Sequence, residues 1–162
     1  MSESKRSNNY TWKSLLALLV ATLGAGALVG FFTQRDSAFY EELTQPPFAP
    51  PGWLFPVAWA ILYAAMAVAM WLVLREQRRD RFPLLGLYVT QLAVNLAWPF
   101  IFFTLQALGL GFFWLLLLWL LAGIMLWQFF RQSRIAGFLL IPYQLWLTFA
   151  AVLNFCLARL NP

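Results

Sequence analysis

Apolar residues run almost unbroken through four stretches that contain no Asp, Glu, Lys or Arg. They lie between Lys13 and Arg35, Glu42 and Arg75, Arg81 and Arg131, and Arg134 and Arg159. A helix needs about 20 apolar residues to cross a bilayer, so the first, second and fourth stretches hold one span each. The third has room for two spans, and Gln106-Ala107-Leu108-Gly109-Leu110-Gly111 supplies a turn between them. The pattern predicts an all-α membrane protein, a bundle of five transmembrane helices over 14–34, 54–75, 84–105, 110–130 and 136–158. A tail over 1–13 precedes this membrane domain of 14–159, and a proline-rich loop over 35–53 joins the first two spans.

Polar residues inside the spans are ordered. In the third span Gln91, Asn95, Trp98 and Phe102 fall at alternating four- and three-residue spacing and share one face. Gly86, Thr90, Ala93 and Ala97 repeat that spacing five positions out of phase, about 140° round the helix. A polar stripe at membrane depth must face protein, water or ligand, which makes the first face a candidate pocket. Small residues let backbones approach closely, which makes the second a helix-packing or dimer contact. Gly26 and Gly30 in the first span form a second close-approach pair. Trp59, Tyr63, Met66 and Met70 share a face in the second span, and Tyr143, Trp146, Ala150 and Asn154 do so in the fifth. An indole N–H in hydrocarbon needs an acceptor. Trp12, Trp53 and Trp127 instead fit the interfacial aromatic belt. Convergence of the inward faces would give an aromatic cavity with a few hydrogen-bonding groups, suited to a large planar apolar ligand.

Four of the nine prolines fall in Pro46-Pro47-Phe48-Ala49-Pro50-Pro51-Gly52-Trp53. Proline fixes φ and restricts the residue before it, so this segment is expected to be a stiff extended strap. Its place beside the aromatic faces suggests a lid.

Composition agrees with the membrane class: 62% of the 162 residues are hydrophobic and 10% are charged, against about 25% charged in soluble domains. Lys5, Arg6, Lys13, Arg75, Arg78, Arg79, Arg81, Arg131 and Arg134 fall on one side of a five-span topology. Only Arg35 and Arg159 fall on the other. The positive-inside bias then puts the N-terminus in the cytoplasm and the C-terminus outside, as in a bacterial-type inner membrane. The net charge of +5 is a topology signal, and no nucleic-acid partner is expected. Lys5, Arg6 and Lys13 before an apolar run and Ala25-Gly26-Ala27 resemble a signal peptide, but the run continues through Val29 and Phe32, longer than a usual signal core.

Several chemistries are excluded by residue type. The chain has no His and one Cys, so imidazole metal sites, His-ligated haem and intrachain disulfides are out. No metal site is expected. All six acids, Glu3, Asp36, Glu41, Glu42, Glu76 and Asp80, lie outside the expected spans, which argues against an ion-coupled pump.

Three blocks carry a family resemblance. The proline octet feeds Phe55-Pro56-Val57-Ala58-Trp59-Ala60-Ile61-Leu62-Tyr63-Ala64-Ala65-Met66. Gln91-Leu92-Ala93-Val94-Asn95-Leu96-Ala97-Trp98-Pro99 follows, then Pro142-Tyr143-Gln144-Leu145-Trp146 with Phe149-Ala150-Ala151-Val152-Leu153-Asn154. In this order the chain resembles the tryptophan-rich sensory protein and translocator protein family, the peripheral-type benzodiazepine receptors, from about Gly26 to Arg159. The resemblance implies a five-helix bundle, usually a homodimer, that binds porphyrins or other tetrapyrroles and in animal members cholesterol and benzodiazepine-type drugs. It implies a pocket lined by Trp59, Tyr63, Asn95, Trp98, Trp146 and Ala150, with Pro47, Pro51 and Trp53 in the lid. No cofactor is obligatory, porphyrin entering as ligand. Bacterial members are linked to light-dependent porphyrin breakdown, and that catalytic role would fall on Trp59 and Trp146. Two positions depart from the family pattern. Phe155 replaces the tyrosine of the animal cholesterol pattern, and Thr90 stands where the animal third helix has glycine.

Three function classes follow: porphyrin binding with sensing or translocation, light-dependent porphyrin degradation, and a sterol-, lipid- or partner-binding membrane protein. The first accounts for the neutral aromatic faces and the rigid lid together.

Overall fold

Among the described residues, five helices are long and apolar enough to cross a membrane: Trp12–Thr33, Leu54–Arg75, Phe82–Thr104, Leu108–Gln132 and Arg134–Leu160. The computed structural model describes residues 11–33, 38–76 and 81–162, the Arg81 side chain excepted. Glu3, Lys5, Arg6, Arg35, Asp36, Arg78, Arg79 and Asp80, which carry part of the charge argument, lie outside the described residues. The elements are α1 (Trp12–Thr33), α2 (Ala38–Glu42), α3 (Leu54–Arg75), α4 (Arg81–Pro99) with a π-helical turn (Phe100–Thr104), α5 (Leu108–Gln132) and α6 (Arg134–Leu160). At about 1.5 Å per residue, the shortest spans of 22 residues cover a hydrocarbon core of about 30 Å.

The helices form a closed ring in which α1 meets α3 and α4, α3 meets α6, α6 meets α5, and α5 meets α4. The contact between α5 and α6 is the most extensive, and two features make it so. Ser133 alone is extended between them (φ −147°, ψ 122°), which forces a tight antiparallel pair. Gly137 on α6 then lies under the Phe130 ring, so that any Cβ there would strike it. The inward positions of α5, Leu108, Gly111, Leu115, Leu118, Ala122, Met125 and Phe129, recur at three and four residues, as one helix face requires. By contrast α1 buries only Thr22 and Thr33. It is a loosely held wall, tied to α4 by the Thr22 and Tyr88 hydroxyls at 2.7 Å.

The turn between the third and fourth spans differs from expectation. Gly109 and Gly111 lie inside α5, and the reversal is made by Gln106 at φ 52°. Upstream, Pro99 has no N–H to give. The chain widens into the π turn, with Leu105 N–H donating to Phe100 O at 2.9 Å.

The segment over 35–53 is also not one extended strap. Its described part, from residue 38, begins with α2, which the pattern did not suggest. In the octet, Ala49 N–H donates to Pro46 O at 2.9 Å and Leu54 N–H to Pro51 O at 3.0 Å. Two turns result, with Pro47 at the second position of the first, where its fixed φ is preferred. Proline restricts each residue separately, and that restriction suits successive turns as well as an extended run.

Two contacts identify the ends of the bundle. Thr44 N–H donates to Asn161 Oδ1 at 2.9 Å and Asn161 Nδ2 to Thr44 O at 3.1 Å, which joins the lid segment to the end of α6. At the opposite end Trp71 Nε1 donates to Thr11 O at 3.3 Å.

A lidded cavity beside a buried polar chain

Loose packing of α1 leaves a cavity of about 850 Å³ between α1, α3, the end of α4 and the lid segment. That volume is in the upper part of the ~300–1,000 Å³ range of small-molecule sites. Gly26, Gly30 and Thr33 line it from α1, Trp59 and Tyr63 from α3, and Trp98, Pro99 and Phe103 from the α4 end. Trp53, 67% exposed, stands at its mouth with Glu41. Trp59 and Tyr63 are one helical turn apart, with ring centroids 5.5 Å apart and planes tilted by 33°. They present a broad aromatic wall.

The two glycines on α1 play different parts. A Cβ on Gly26 would collide with the Tyr63 ring, so this glycine seats the tyrosine against the wall. A Cβ on Gly30 would meet nothing within 4 Å, so this one keeps the cavity open.

Behind the wall runs a chain of neutral hydrogen bonds. Tyr63 O–H donates to Asn95 Oδ1 at 2.8 Å, Asn95 Nδ2 donates to the Tyr143 hydroxyl at 2.7 Å, and Tyr143 O–H donates to Gln91 Oε1 at 2.9 Å. All four residues are buried. The 91, 95, 98, 102 stripe therefore does face the bundle centre. It serves mainly to hold α3, α4 and α6 together, because hydrogen-bonding groups in an apolar interior are costly when unpaired.

The lid is pinned from below by Tyr40, 2% exposed. Its hydroxyl donates to Pro50 O at 2.9 Å, and its ring packs edge-on against Phe55 at 5.2 Å. Gln45 Nε2 adds a bond to Tyr40 O at 2.7 Å. Burial, and then the Glu41 charge, push the Tyr40 phenol up to about 12. Raised above its ordinary value of 10, the phenol keeps its full contribution below pH 10. That contribution is lost as pH rises from 10 to 12.

The family model for the TspO/MBR family matches residues 16–160. The chain belongs to the TspO/MBR family. It is 39% identical to protein CrtK of Rhodobacter capsulatus over 145 residues, covering 88% of this chain and 89% of that one. It is 35% identical to the tryptophan-rich sensory protein of Cereibacter sphaeroides, covering 94% of each. Human translocator protein is 38% identical, with 84% of this chain and 83% of that protein covered.

In this TspO/MBR chain the residues expected at a pocket divide into two groups. Trp59, Tyr63, Trp98 and Trp53 border the large cavity. Asn95, Trp146, Ala150, Pro47 and Pro51 do not. Asn95 is one bond removed, behind Tyr63. Trp146 packs edge-on against Trp59, with centroids 6.4 Å apart, on the far side from α1. Ala150 borders a small separate void with Trp98 and Asn154. The physical reason is that α1, not α6, makes the open wall, and α1 carries no polar stripe to announce it. Residues that sequence reasoning missed at the cavity include Thr33, Tyr40, Glu41 and Phe103. Only Glu41 had a readable signal, as one of two adjacent acids just before the proline octet. The small stripe faces outward: Gly86, Thr90 and Ala93 are exposed and Ala97 is half-buried.

Proposed function

We propose that this protein binds a porphyrin, or another planar apolar ligand of that kind, in the cavity between α1 and α3 beneath the lid. The single observation that carries this reading is the aromatic wall of Trp59 and Tyr63 lining a mostly apolar space of about 850 Å³. A planar ring gains most from offset or tilted contact with such faces. The hydrogen-bonded chain behind Tyr63 holds the wall in place before ligand arrives, so little ordering cost remains at binding. The relatives named as sensory and translocator proteins fit a ligand-handling role. Transport or light and stress sensing would follow the same binding step.

Titration of the purified protein with protoporphyrin, followed by quenching of tryptophan fluorescence, tests this. Trp59→Ala is expected to weaken binding by about 2 kcal/mol, roughly 30-fold, as removal of a central aromatic does. Equal affinity in the variant would remove the wall from the site.

The lid leads to a kinetic expectation. Asn161→Ala cuts the two bonds between Asn161 and Thr44, and it should speed porphyrin release several-fold in stopped-flow displacement while changing the association rate less. Relaxing Pro47 and Pro51 to Ala should act the same way. Release at the original rate in both variants would reduce the segment to a connector.

One observation favours a second reading, light-dependent porphyrin breakdown: Trp59 borders the cavity and touches Trp146 edge-on at 6.4 Å. An indole pair of this kind gives a bound, excited porphyrin two neighbouring redox-active rings. Under illumination Trp146→Phe should slow porphyrin loss, and an unchanged rate would end the indole role. Our reading also includes a homodimer through the stripe of exposed Gly86, Thr90 and Ala93 with half-buried Ala97, which the mass of the detergent-extracted particle checks. It includes an N-terminus in the cytoplasm and a C-terminus outside, in a bacterial-type inner membrane, which reporters fused to each end would read.

A further inference from the structure

Two buried polar atoms of opposite kind lie close together without partners at the inner edge of the site. Trp98 is 5% exposed and its Nε1–H meets no acceptor. Asn154 is 1% exposed and its Oδ1 meets no donor. The orientation of the Asn154 amide follows from its other end, since Nδ2 donates to Leu108 O at 2.9 Å. The free atom is therefore the carbonyl oxygen, and the pair is one donor and one acceptor.

Both atoms look onto the bare Cα of Gly111. A Cβ at that position would stand 2.9 Å from Asn154 Oδ1 and 3.7 Å from Trp98 Nε1. A methyl at that position would therefore crowd both groups, and its absence leaves the approach to them open. Trp98 and Asn154 also border a neighbouring void of about 10 Å³ with Phe102, Ala150 and Leu153, whose lining does not include Gly111. That is about the least volume that admits one water. Glycine at position 111 is otherwise hard to explain. It falls on the inward face of α5, where Leu108, Leu115, Leu118, Met125 and Phe129 all fill space.

We propose that the space between Trp98, Asn154 and Gly111 is a binding site for a single water. The water accepts from the Trp98 indole N–H and donates to the Asn154 carbonyl. A cation is disfavoured by the N–H and an anion by the carbonyl, whereas water satisfies both. It pins α4 to α6 immediately behind the face that Trp98 presents to the large cavity. Tyr40 and Phe55, which hold the lid, border the same void. The site is independent of any porphyrin, so it stands or falls without the ligand reading.

The test uses full-length protein in lipid nanodiscs with ¹⁵N-labelled tryptophan, the Trp98 indole signal being assigned by its loss in Trp98→Phe. Rotating-frame cross-relaxation between indole protons and water then reads the site directly. Wild-type protein is expected to show a water cross-peak at the Trp98 indole despite its burial. Gly111→Ala, whose methyl crowds both groups, is expected to lose that peak while the other indole signals keep their positions. A wild-type indole without a water cross-peak overturns the proposal, as does a peak that survives Gly111→Ala unchanged. Should Gly111→Ala fail to fold, crystallographic density of the wild-type protein decides. An ordered peak within hydrogen-bond distance of both atoms supports the water, and direct contact of Nε1 with Oδ1 overturns it.

Discussion

Gly30→Leu is expected to lower porphyrin affinity at least about tenfold while leaving thermal unfolding unchanged. The Gly30 Cβ position has no atom within 4 Å, yet Gly30 lines the cavity. A leucine there would occupy ligand space without straining the protein, and a tenfold loss is only about 1.4 kcal/mol. Gly26→Leu should behave differently. Its Cβ would land on the Tyr63 ring, so Tyr63 must swing away and give up its bond to Asn95. Overpacking of this kind costs about 1–3 kcal/mol, and ligand affinity and stability should fall together. The two glycines, four residues apart on one helix, thus separate occupied volume from wall geometry. Parallel measurement of porphyrin affinity and unfolding temperature on both variants checks the contrast. If Gly30→Leu binds as well as wild type, the ligand does not use this cavity.

Asn95→Leu is expected to be the most damaging change to the bundle itself. Asn95 uses both ends of its amide, accepting from Tyr63 and donating to Tyr143, and it is 1% exposed. Leucine is of similar size, so the loss is of hydrogen bonds rather than volume. A buried hydroxyl left unpaired costs about 1–3 kcal/mol. Hydrogen bonds between membrane helices are worth somewhat less, about 0.6–1.7 kcal/mol each. Because two bonds and one orphaned phenol are involved, a loss near 2 kcal/mol is expected. An exposed substitution such as Ile124→Leu should stay within about 0.5 kcal/mol. Unfolding of each variant in matched detergent gives the comparison. Equal stability for Asn95→Leu and Ile124→Leu would show that the chain carries no structural load.

The fold was legible because its cause is simple. Charge-free stretches between Lys13, Arg35, Glu42, Arg75, Arg81, Arg131, Arg134 and Arg159 mark where water ends and lipid begins, and helices are what such stretches form. The burial of Gln91, Asn95, Trp98 and Phe102 was legible for the same reason, since polar groups at depth must turn inward. Which wall of the ring is open was not legible. Gly26 and Gly30 read alike as a close-approach pair, and only their surroundings show one pressed on Tyr63 and the other facing space. The proline octet was legible as constrained but not as turned, because fixed φ leaves ψ undetermined. Asn161 gave no signal, as its partner Thr44 is 117 positions away. Gly111 looked like a turn residue and proved to be a helical one opposite two unpaired polar atoms.

The central claim is that a planar ligand lies against Trp59 and Tyr63 between α1 and α3. Its most direct test is the indole NMR spectrum of ¹⁵N-tryptophan-labelled protein during protoporphyrin titration, since the macrocycle shifts nearby protons by its ring current. The account predicts large, saturable shifts at Trp59, Trp53 and Trp98, with Trp119 and Trp127 on the outer face unmoved. Shifts at Trp119 or Trp127 with Trp59 unchanged would place the ligand on the lipid-facing surface and contradict it.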